Sequence, residues 1–396
     1  MAESFPEDIW VEIFFRLPVK SLMLFKCVCR RWQSLISDPG FAKSHLQRLK
    51  AGDLIPSQRI IKSHLLGQPL MTIDFEALEG AISDGRDCEP VELHCPHSPH
   101  KDYSFWNDSF IVGSCDGLIC VFVRKRFLIY NPATRIYREL PGSDFVGEIY
   151  LSDEFVGFGY DSRSDDYKIV GGFVDYGNWE VEIFSLKSGC WRSIQVPFQE
   201  ESHLKVSGPG VYWNGGIHWF VDYRVAHRRQ GVIMSFDLSE EKFHRELPVP
   251  EVNVDIVLVG IGIHGASLFI YNSRNDSRVE AWIMDEHRKG GSWTKWLSFC
   301  MHPPVVAPMA YTRSGKIVLR MDMFMVCMNI RNLRPKEVKL IYRMNMDEIE
   351  DMERMVLFNP EDRSWEAYPI EGELIEHAIY LESLISPYLG IDPSRM

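Results

Sequence analysis

The sequence lacks the long apolar runs and the regular cysteine pairing that mark membrane and disulfide-rich proteins. Its longest apolar stretches, such as residues 256–263, are far shorter than the roughly 20 residues that cross a bilayer, so no membrane partner is expected. The acidic start containing Pro6 has no secretory signal pattern. The nine cysteines are scattered, which predicts free thiols in a reducing compartment, the cytoplasm or the nucleus.

Basic residues are also in short supply, with 43 Lys and Arg against 55 Asp and Glu and a net charge of −12. A protein that binds nucleic acid needs a concentrated basic face, because phosphate contacts dominate the affinity. The short basic clusters at residues 124–126, 228–229 and 331–339 are not interleaved with stacking aromatics. We therefore expect no nucleic-acid partner. Aromatic residues make up 12% of the chain and recur throughout it, which is typical of a folded protein.

The first fifty residues carry apolar side chains at helical spacing, which predicts a small all-α unit of three to four short helices. Helices this short are marginal on their own, and their surfaces are apolar nearly all round. This pattern favours docking on a partner surface, with packing against the rest of the chain as the alternative. The positions of the pattern are Ile9, Ile13, Phe14 and Leu17, then Leu22, Phe25 and Val28, then Trp32 and Ile36, then residues 41–50.

This segment resembles an F-box in the order and spacing of its motifs. It carries Phe5-Pro6 near the start, Arg16-Leu17-Pro18-Val19-Lys20-Ser21-Leu22 in the middle and Cys29-Arg30-Arg31-Trp32 near the end. Phe5 replaces the usual leucine, and Phe14 and Phe15 are bulkier than is common, but these changes stay apolar. The resemblance implies binding to a Skp-family adaptor, which links F-box proteins to a cullin and a ring-finger subunit. The implied adaptor-binding residues are Phe5, Pro6, Ile9, Ile13, Leu17, Pro18, Leu22, Phe25, Val28 and Trp32.

From about residue 54 the pattern changes to short strands bounded by Gly, Pro, Asn, Asp and Ser. A unit of about fifty residues recurs, and the spacing of its marker aromatics predicts an all-β propeller-like domain of about six blades, with seven possible. Residues 70–75 would begin the ring, and residues 375–385 would supply a closing strand. The predicted domains are residues 1–50 and 51–396. The marker aromatics, expected in the core, are Tyr137, Trp191, Phe243 and Trp293.

These strands resemble the F-box-associated domain of plant F-box proteins, a relative of kelch propellers. The resemblance is carried by residues 113–120, 131–135 and 158–170 among others, and with the F-box it spans nearly the whole chain. It implies a domain that binds a target protein, but it leaves the target-binding residues unknown. Loops on a rigid scaffold often bind partners, and the candidate loops are Tyr223–Gln230, Asn272–Arg278 and Asp285–Gly291.

The metal-ligating residue types gather in one stretch, at Cys88, His94, Cys95, His97 and His100. Their spacing fits no standard pair of zinc ligands, which favours a polar loop between blades over a metal site. The acidic residues 347–353 are likewise predicted to be a solvated loop. We therefore expect no metal and no cofactor.

No nucleophile elbow and no zinc-protease helix occurs in the sequence. The segment Gly113–Gly117 lies between two strands, and its Asp116-Gly117 pair predicts a hairpin turn. Cys27 and Cys29 fall within the predicted helical stripe, and packing is expected to account for them. The sequence therefore predicts no catalytic residue.

The two resemblances together imply a non-catalytic receptor subunit of a Skp–cullin–F-box ubiquitin ligase, which would bind the adaptor at its N-terminus and an unidentified protein target through the propeller. One alternative is a propeller enzyme or carbohydrate-binding module whose N-terminal helices merely pack on it. Another is an adaptor-binding regulator outside the cullin complex. Burial of Ile9, Leu17, Leu22 and Trp32 against the propeller core would favour the enzyme or carbohydrate-binding alternative.

Overall fold

The structure is a computed structural model in which an N-terminal group of helices precedes a ring of sheets. The described residues are 6–52, 58–63, 70–74, 76–77, 91–93, 109–123, 126–142, 154–175, 178–196, 208–225, 228–250, 256–274, 278–284, 292–300, 306–312, 314–321, 354–369 and 376–388. No helix among these residues is long and apolar enough to cross a membrane.

Four short helices form the N-terminal module, as the apolar spacing predicts. Pro6 and Pro18 directly precede the first and second helices, and Pro39 opens the fourth, where a missing N–H costs no helical hydrogen bond. The side chain of Asp38 caps the fourth helix by accepting a 2.8 Å hydrogen bond from the N–H of Phe41. The helices are α1 Glu7–Phe15, α2 Val19–Phe25, α3 Arg30–Ser37 and α4 Pro39–Lys50.

Six mostly antiparallel sheets follow, so the prediction of about six blades is confirmed. The first three blades are built from the following strands. Blade 1 contains β1 Gln58–Ser63, β2 Met71–Ile73 and β3 Val91–Glu92; blade 2 contains β4 Ser109–Cys115, β5 Leu118–Val123, β6 Arg126–Asn131 and β7 Ile136–Glu139; blade 3 contains β8 Glu154–Asp161, β9 Asp166–Asp175, β10 Asn178–Ser185 and β11 Cys190–Ile194.

The remaining blades repeat the same order, after a two-residue strand, β12 Gly208–Pro209, that pairs in parallel with β8. Blade 4 contains β13 Val211–Trp213, β14 Gly216–Val225, β15 Arg228–Asp237 and β16 Lys242–Pro248; blade 5 contains β17 Ile256–His264, β18 Ser267–Arg274, β19 Arg278–Met284 and β20 Trp293–Cys300; blade 6 contains β21 Val306–Tyr311, β22 Ile317–Met321, β23 Arg354–Phe358 and β24 Trp365–Pro369.

The C-terminal strand, β25 Glu376–Leu381, closes the ring by pairing antiparallel with β1 of blade 1. The residues after it cross to blade 2, where the Ser383 hydroxyl donates to the Asp116 carbonyl at 2.6 Å. The Asn131 side-chain amide donates to the carbonyls of Ser383 and Ile385 at 3.0 and 2.7 Å. The predicted closing strand is therefore confirmed, and hydrogen bonds to a second blade hold its continuation.

The turns between the third and fourth strands share one geometry in blades 2, 3, 4 and 6. The N–H of the fifth turn residue donates to the carbonyl of the first, and that fifth residue has a positive φ. A side-chain oxygen of the first residue also accepts from a backbone N–H two or three positions on, which is typical of Asn, Asp and Ser in turns. The first and fifth residues are Asn131 and Arg135, Ser185 and Gly189, Asp237 and Glu241, and Asn359 and Arg363.

The marker aromatics connect neighbouring blades and are only half-buried. Trp191 of blade 3 packs on Phe127 of blade 2, with ring centroids 5.4 Å apart, and its indole N–H donates to the Pro141 carbonyl at 2.9 Å. Trp365 occupies the same register position in blade 6 but is 54% exposed. The expectation that most repeat tryptophans lie in the core is met only in part, because Tyr137, Trp191 and Phe243 pack against the buried clusters from the sheet margin.

The ring has two distinguishable faces. In blades 2 to 6, we define the lower face as the side where the first and second strands are joined, and the upper face as the side where the second and third strands are joined. The helices lie at the lower face, where Lys43 and Lys50 of α4 form 2.5 Å ion pairs with Asp165 and Asp116. The upper face is therefore the one farther from the helices.

The contact between β25 and blade 2 can be tested at Gly117, where a Cβ would lie 2.3 Å from the Ser383 hydroxyl oxygen. We expect Gly117→Ala to destabilise the protein by about 2–4 kcal/mol, since a left-handed backbone strain adds to an overpacking cost. Gly265→Ala is the matched control, because Gly265 also has a positive φ but has no atom within 4 Å of a Cβ. Urea unfolding would measure both variants, and equal destabilisation would contradict close packing of Ser383 on Gly117.

Candidate functional site

Aromatic side chains around Trp32 fill the interior of the helical module, and this interior is continuous with the buried core of blades 2 and 3. The Trp32 ring lies 5.0 Å from Trp10, 5.2 Å from Phe14 and 5.5 Å from Phe25, measured between centroids. Phe14 and Leu22 are fully buried beside this cluster. Burying a large apolar side chain contributes about 1.5–3 kcal/mol, so this interior accounts for the docking of three short helices on one another.

Other apolar side chains of the module remain on its surface. Ile9 is 46% exposed, Ile13 42%, Leu24 66% and Val28 61%. These four are a majority of the seven large apolar side chains that are exposed among the described residues of the whole chain. We call them the apolar docking surface. An apolar surface concentrated in one small module is typical of a protein interaction site.

The residues that the F-box resemblance implies as adaptor contacts fall into several environments. Leu22 is buried because it lies on the inner side of α2, whereas Leu24, absent from the implied set, points outward, about 200° further around the helix. Helical geometry applied to α2 could have identified Leu24. Of the implied set, Pro6, Ile9, Ile13, Pro18 and Val28 are exposed, Leu17, Phe25 and Trp32 are half-buried, and Phe5 lies outside the described residues.

The two cysteines beside the docking surface are also exposed. Cys27 and Cys29 flank Val28 between α2 and α3, and neither thiol is in a disulfide. The expectation that packing accounts for both is wrong, because the chain at this point leaves α2 and the module interior is filled by aromatic rings.

One buried ionic cluster lies between blades 3 and 4. The Lys168 ammonium donates to the Asp161 carboxylate at 2.7 Å, to the Glu241 carboxylate at 2.9 Å and to the Leu238 carbonyl at 2.7 Å. Burial acts to raise the pKa of Asp161, but hydrogen bonds from Lys168, Ser164 and Ser239 outweigh it and hold that pKa well below its usual value. Every partner is a strand end or a turn, so the cluster joins the two blades.

A serine–histidine pair occurs in blade 4, where His218 Nδ1 lies 2.7 Å from the Ser235 hydroxyl. Its Nε2 lies 3.1 Å from the Trp213 carbonyl, so the ring bridges two groups of its own blade. Both side chains are buried, and burial lowers the pKa of His218 to about 4. A neutral, enclosed imidazole suits a structural role.

The candidate metal ligands of the sequence, residues 88–100, and the acidic residues 347–353 lie outside the described residues. Within the described part of the chain, no three His, Cys, Asp or Glu side chains are grouped so that they could hold a metal ion. The docking surface therefore remains the candidate functional site.

Both the helical module and the ring match known domain families. The F-box domain matches residues 3–44, which include α1 to α3 and the docking surface. The F-box associated beta propeller domain matches residues 70–386, most of the chain. The chain belongs to the F-box proteins that carry this propeller domain. As in that family, the chain has the architecture of a substrate adaptor of Skp–cullin–F-box ligases.

Individual relatives of this F-box protein support the assignment. F-box protein CPR1 of Arabidopsis thaliana is 31% identical over 350 residues, which cover 80% of this chain and 79% of the relative. An F-box/kelch-repeat protein of Arabidopsis thaliana is 29% identical over 325 residues, covering 80% and 85%. A putative F-box protein of the same plant is 28% identical over 305 residues, covering 76% and 75%.

The structural role of the ionic cluster in this F-box protein can be tested with Lys168→Met. We expect the free energy of unfolding to fall by about 3 kcal/mol or more at neutral pH, because the change leaves the buried Asp161 without its ammonium partner. Since the folded pKa of Asp161 is lowered, its contribution is present above its unfolded pKa, near 3.8, and is lost as pH falls through the folded pKa. The difference in free energy of unfolding between wild type and the Lys168→Met variant should therefore decrease as the pH falls below about 4.

Urea unfolding at neutral pH and below pH 4 measures this effect. Arg126→Met is the control, because Arg126 pairs with Glu139 on the surface, where a loss of less than about 1 kcal/mol is expected. If Lys168→Met lowers the free energy of unfolding as little as the control does, the ionic cluster does not stabilise the contact between blades 3 and 4.

Proposed function

We propose that this F-box protein is the substrate-recognition subunit of a Skp–cullin–F-box ubiquitin ligase. The docking surface binds a Skp-family adaptor, which carries the cullin and the ring-finger subunit, and the propeller binds a target protein for ubiquitination and proteasomal degradation. The exposure of Ile9, Ile13, Leu24 and Val28 is the observation that supports adaptor binding most directly.

The mechanism is proximity, with the chemistry supplied by other subunits. Binding the adaptor and the target to one chain raises their effective concentration and turns ubiquitin transfer into a step within one complex. This chain then needs no catalytic residue. The cytoplasm or the nucleus, where such ligases act, is its proposed compartment.

The target is proposed to bind at the upper face. The helices take up part of the lower face, so an adaptor bound there leaves the opposite side of the ring open. The candidate ranges Tyr223–Gln230 and Asn272–Arg278 include the paired ends of second and third strands, so these strand ends belong to the upper face. Residues 226–227 and 275–277 lie outside the described residues. Candidate loop Asp285–Gly291 lies outside the described residues.

Co-purification with a Skp-family adaptor tests the proposal. We expect Leu24→Glu/Val28→Glu to weaken adaptor binding by about 100-fold or more, since charges would enter a desolvated apolar interface. Both side chains are more than half exposed, so the substitutions leave the module interior intact. Leu22→Ala is a poor test, because Leu22 is fully buried and its loss would disturb the fold.

Ile136→Glu/Trp365→Glu is the matched control, because it places the same two charges at exposed apolar positions of the ring. This control should bind the adaptor as wild type does. Failure of the folded wild-type protein to bind any Skp-family adaptor, or equal binding by Leu24→Glu/Val28→Glu, would overturn the proposal.

A further inference from the structure

Helix α4 contacts different parts of the protein on its two opposite sides. Successive residues of an α-helix turn by about 100°, so Phe41, His45 and Arg48 lie on one side and Lys43 and Lys50 lie nearly opposite. The first side faces the helical module and the second faces the ring. Ala42, Leu46 and Leu49 lie between these sides and are buried.

The module side of α4 is held by stacking, a hydrogen bond and an ion pair. The rings of Phe41 and Phe15 stack with centroids 4.7 Å apart. His45 Nε2 lies 2.9 Å from the Leu17 carbonyl, where α1 gives way to α2. The Arg48 guanidinium donates to both carboxylate oxygens of Glu12, at 2.9 and 3.1 Å, and also lies over the Phe15 ring. These contacts join α4 to α1.

The ring side of α4 is held by two ion pairs that are two helical turns apart. Lys43 Nζ lies 2.5 Å from Asp165 Oδ2, in the turn between β8 and β9 of blade 3. Lys50 Nζ lies 2.5 Å from Asp116 Oδ1, in the turn between β4 and β5 of blade 2. The helix therefore spans two neighbouring blades and has a defined direction across the lower face.

Side chains of the ring also hold both carboxylates by hydrogen bonds. The Tyr160 hydroxyl donates to Asp165 at 2.6 Å, and the Tyr167 hydroxyl donates to Asp116 at 3.1 Å. Burial, together with the neighbouring carboxylates, raises the pKa of both phenols, so they remain donors at neutral pH. Burial opposes but does not cancel the hydrogen bonds from Lys43 and Tyr160, which lower the pKa of Asp165.

The ion pairs select an orientation that apolar contacts stabilise. Lys43 and Asp165 are each at least one-third exposed, so their ion pair contributes little free energy by itself. The Asp116 side chain is only 6% exposed, so it depends more strongly on Lys50. Phe41 and Leu46 of α4 belong to one continuous buried cluster that also contains Leu384 and Ile385. Apolar contacts are non-directional, whereas two charge pairs at fixed points exclude a rotated or shifted helix.

The described residues between the two family matches include helix and strand. The F-box match ends at residue 44 and the propeller match begins at residue 70. Between them α4 continues to Lys50, and β1 is already part of blade 1 at Gln58. The described part of this junction is therefore helix and strand that belong to the two folded bodies.

We propose that Lys43 and Lys50 are positioning residues that fix α4 on blades 2 and 3, so that the docking surface has one direction relative to the propeller. This orientation is a property of the chain alone. Its consequence for ubiquitin transfer, a constant distance between adaptor and target, rests on the proposed function.

The test measures the distance between two spin labels, one on α2 and one on an outer strand of blade 4, in the full chain. Labels are introduced as non-natural amino acids, so the native cysteines stay unchanged. We expect a single narrow distance distribution for wild type. Lys43→Met/Lys50→Met keeps the aliphatic stems and removes both charges, and we expect it to broaden or split this distribution.

Asp116→Asn/Asp165→Asn should have the same effect, because Asn tolerates the positive φ of 56° at both positions. A quadruple variant combines Lys43→Met/Lys50→Met with Asp116→Asn/Asp165→Asn. Its distance distribution should be no broader than that of either double variant, since each lysine acts through its aspartate partner. Lys20→Met/Lys242→Met is the control for charge loss, and it should retain the narrow distribution. Urea unfolding should show that the Lys43→Met/Lys50→Met variant is folded in the absence of urea, with a midpoint lowered because Asp116, whose side chain is 6% exposed, loses its ammonium partner.

A Lys43→Met/Lys50→Met distribution as narrow as that of wild type would overturn the inference. A distance distribution of the quadruple variant that is broader than those of both double variants would also overturn it. Neither result would affect adaptor co-purification, which tests the proposed function separately. Loss of adaptor binding by wild type would likewise leave the distance measurement unaffected.

Discussion

The pairing of β25 with β1 is the constraint on which the rest of the structure depends. The chain enters the ring at β1, and six residue pairs with β25 bring its far end to the same blade. A propeller without this pairing would expose strand edges in blade 1 and leave a gap in the ring. The hydrogen bonds from Asn131 to Ser383 and Ile385 extend the closure to blade 2, the blade that α4 also contacts. Closure and helix docking therefore share one part of the ring.

This arrangement gives the two halves of the protein different relations to solvent. The ring buries its apolar residues between blades and uses half-buried aromatics such as Trp191 at the margins. The helical module buries Phe14 and Leu22 but leaves Ile9, Ile13, Leu24 and Val28 exposed. An apolar surface of this kind costs free energy in water, and a protein partner would remove that cost. The interior of the module is continuous with the core of the ring, whereas part of its apolar surface has no partner within the described residues.

The buried polar groups of the ring serve its construction. Lys168 with Asp161 and Glu241 joins blades 3 and 4, and His218 links Ser235 to the Trp213 carbonyl within blade 4. Each of these groups is enclosed and has its hydrogen-bond partners inside the protein. The Asp116 and Asp165 carboxylates differ, because they lie at turns of the lower face and accept the lysines of α4.

The sequence by itself determined the helical start, the recurring unit of the ring and the closing strand, since these follow from local periodicity and turn residues such as Asp116-Gly117 and Asn131-Pro132. The number of blades, which the sequence left at six or seven, was decided by the structure. Only the tertiary structure decided which apolar residues of the module face inward, because Leu22 and Leu24 are chemically alike and differ only in direction. It also decided that Lys43 and Lys50 meet Asp165 and Asp116, which are 122 and 66 positions away in the chain. Such pairs depend on the placement of whole blades, and no local pattern encodes that placement.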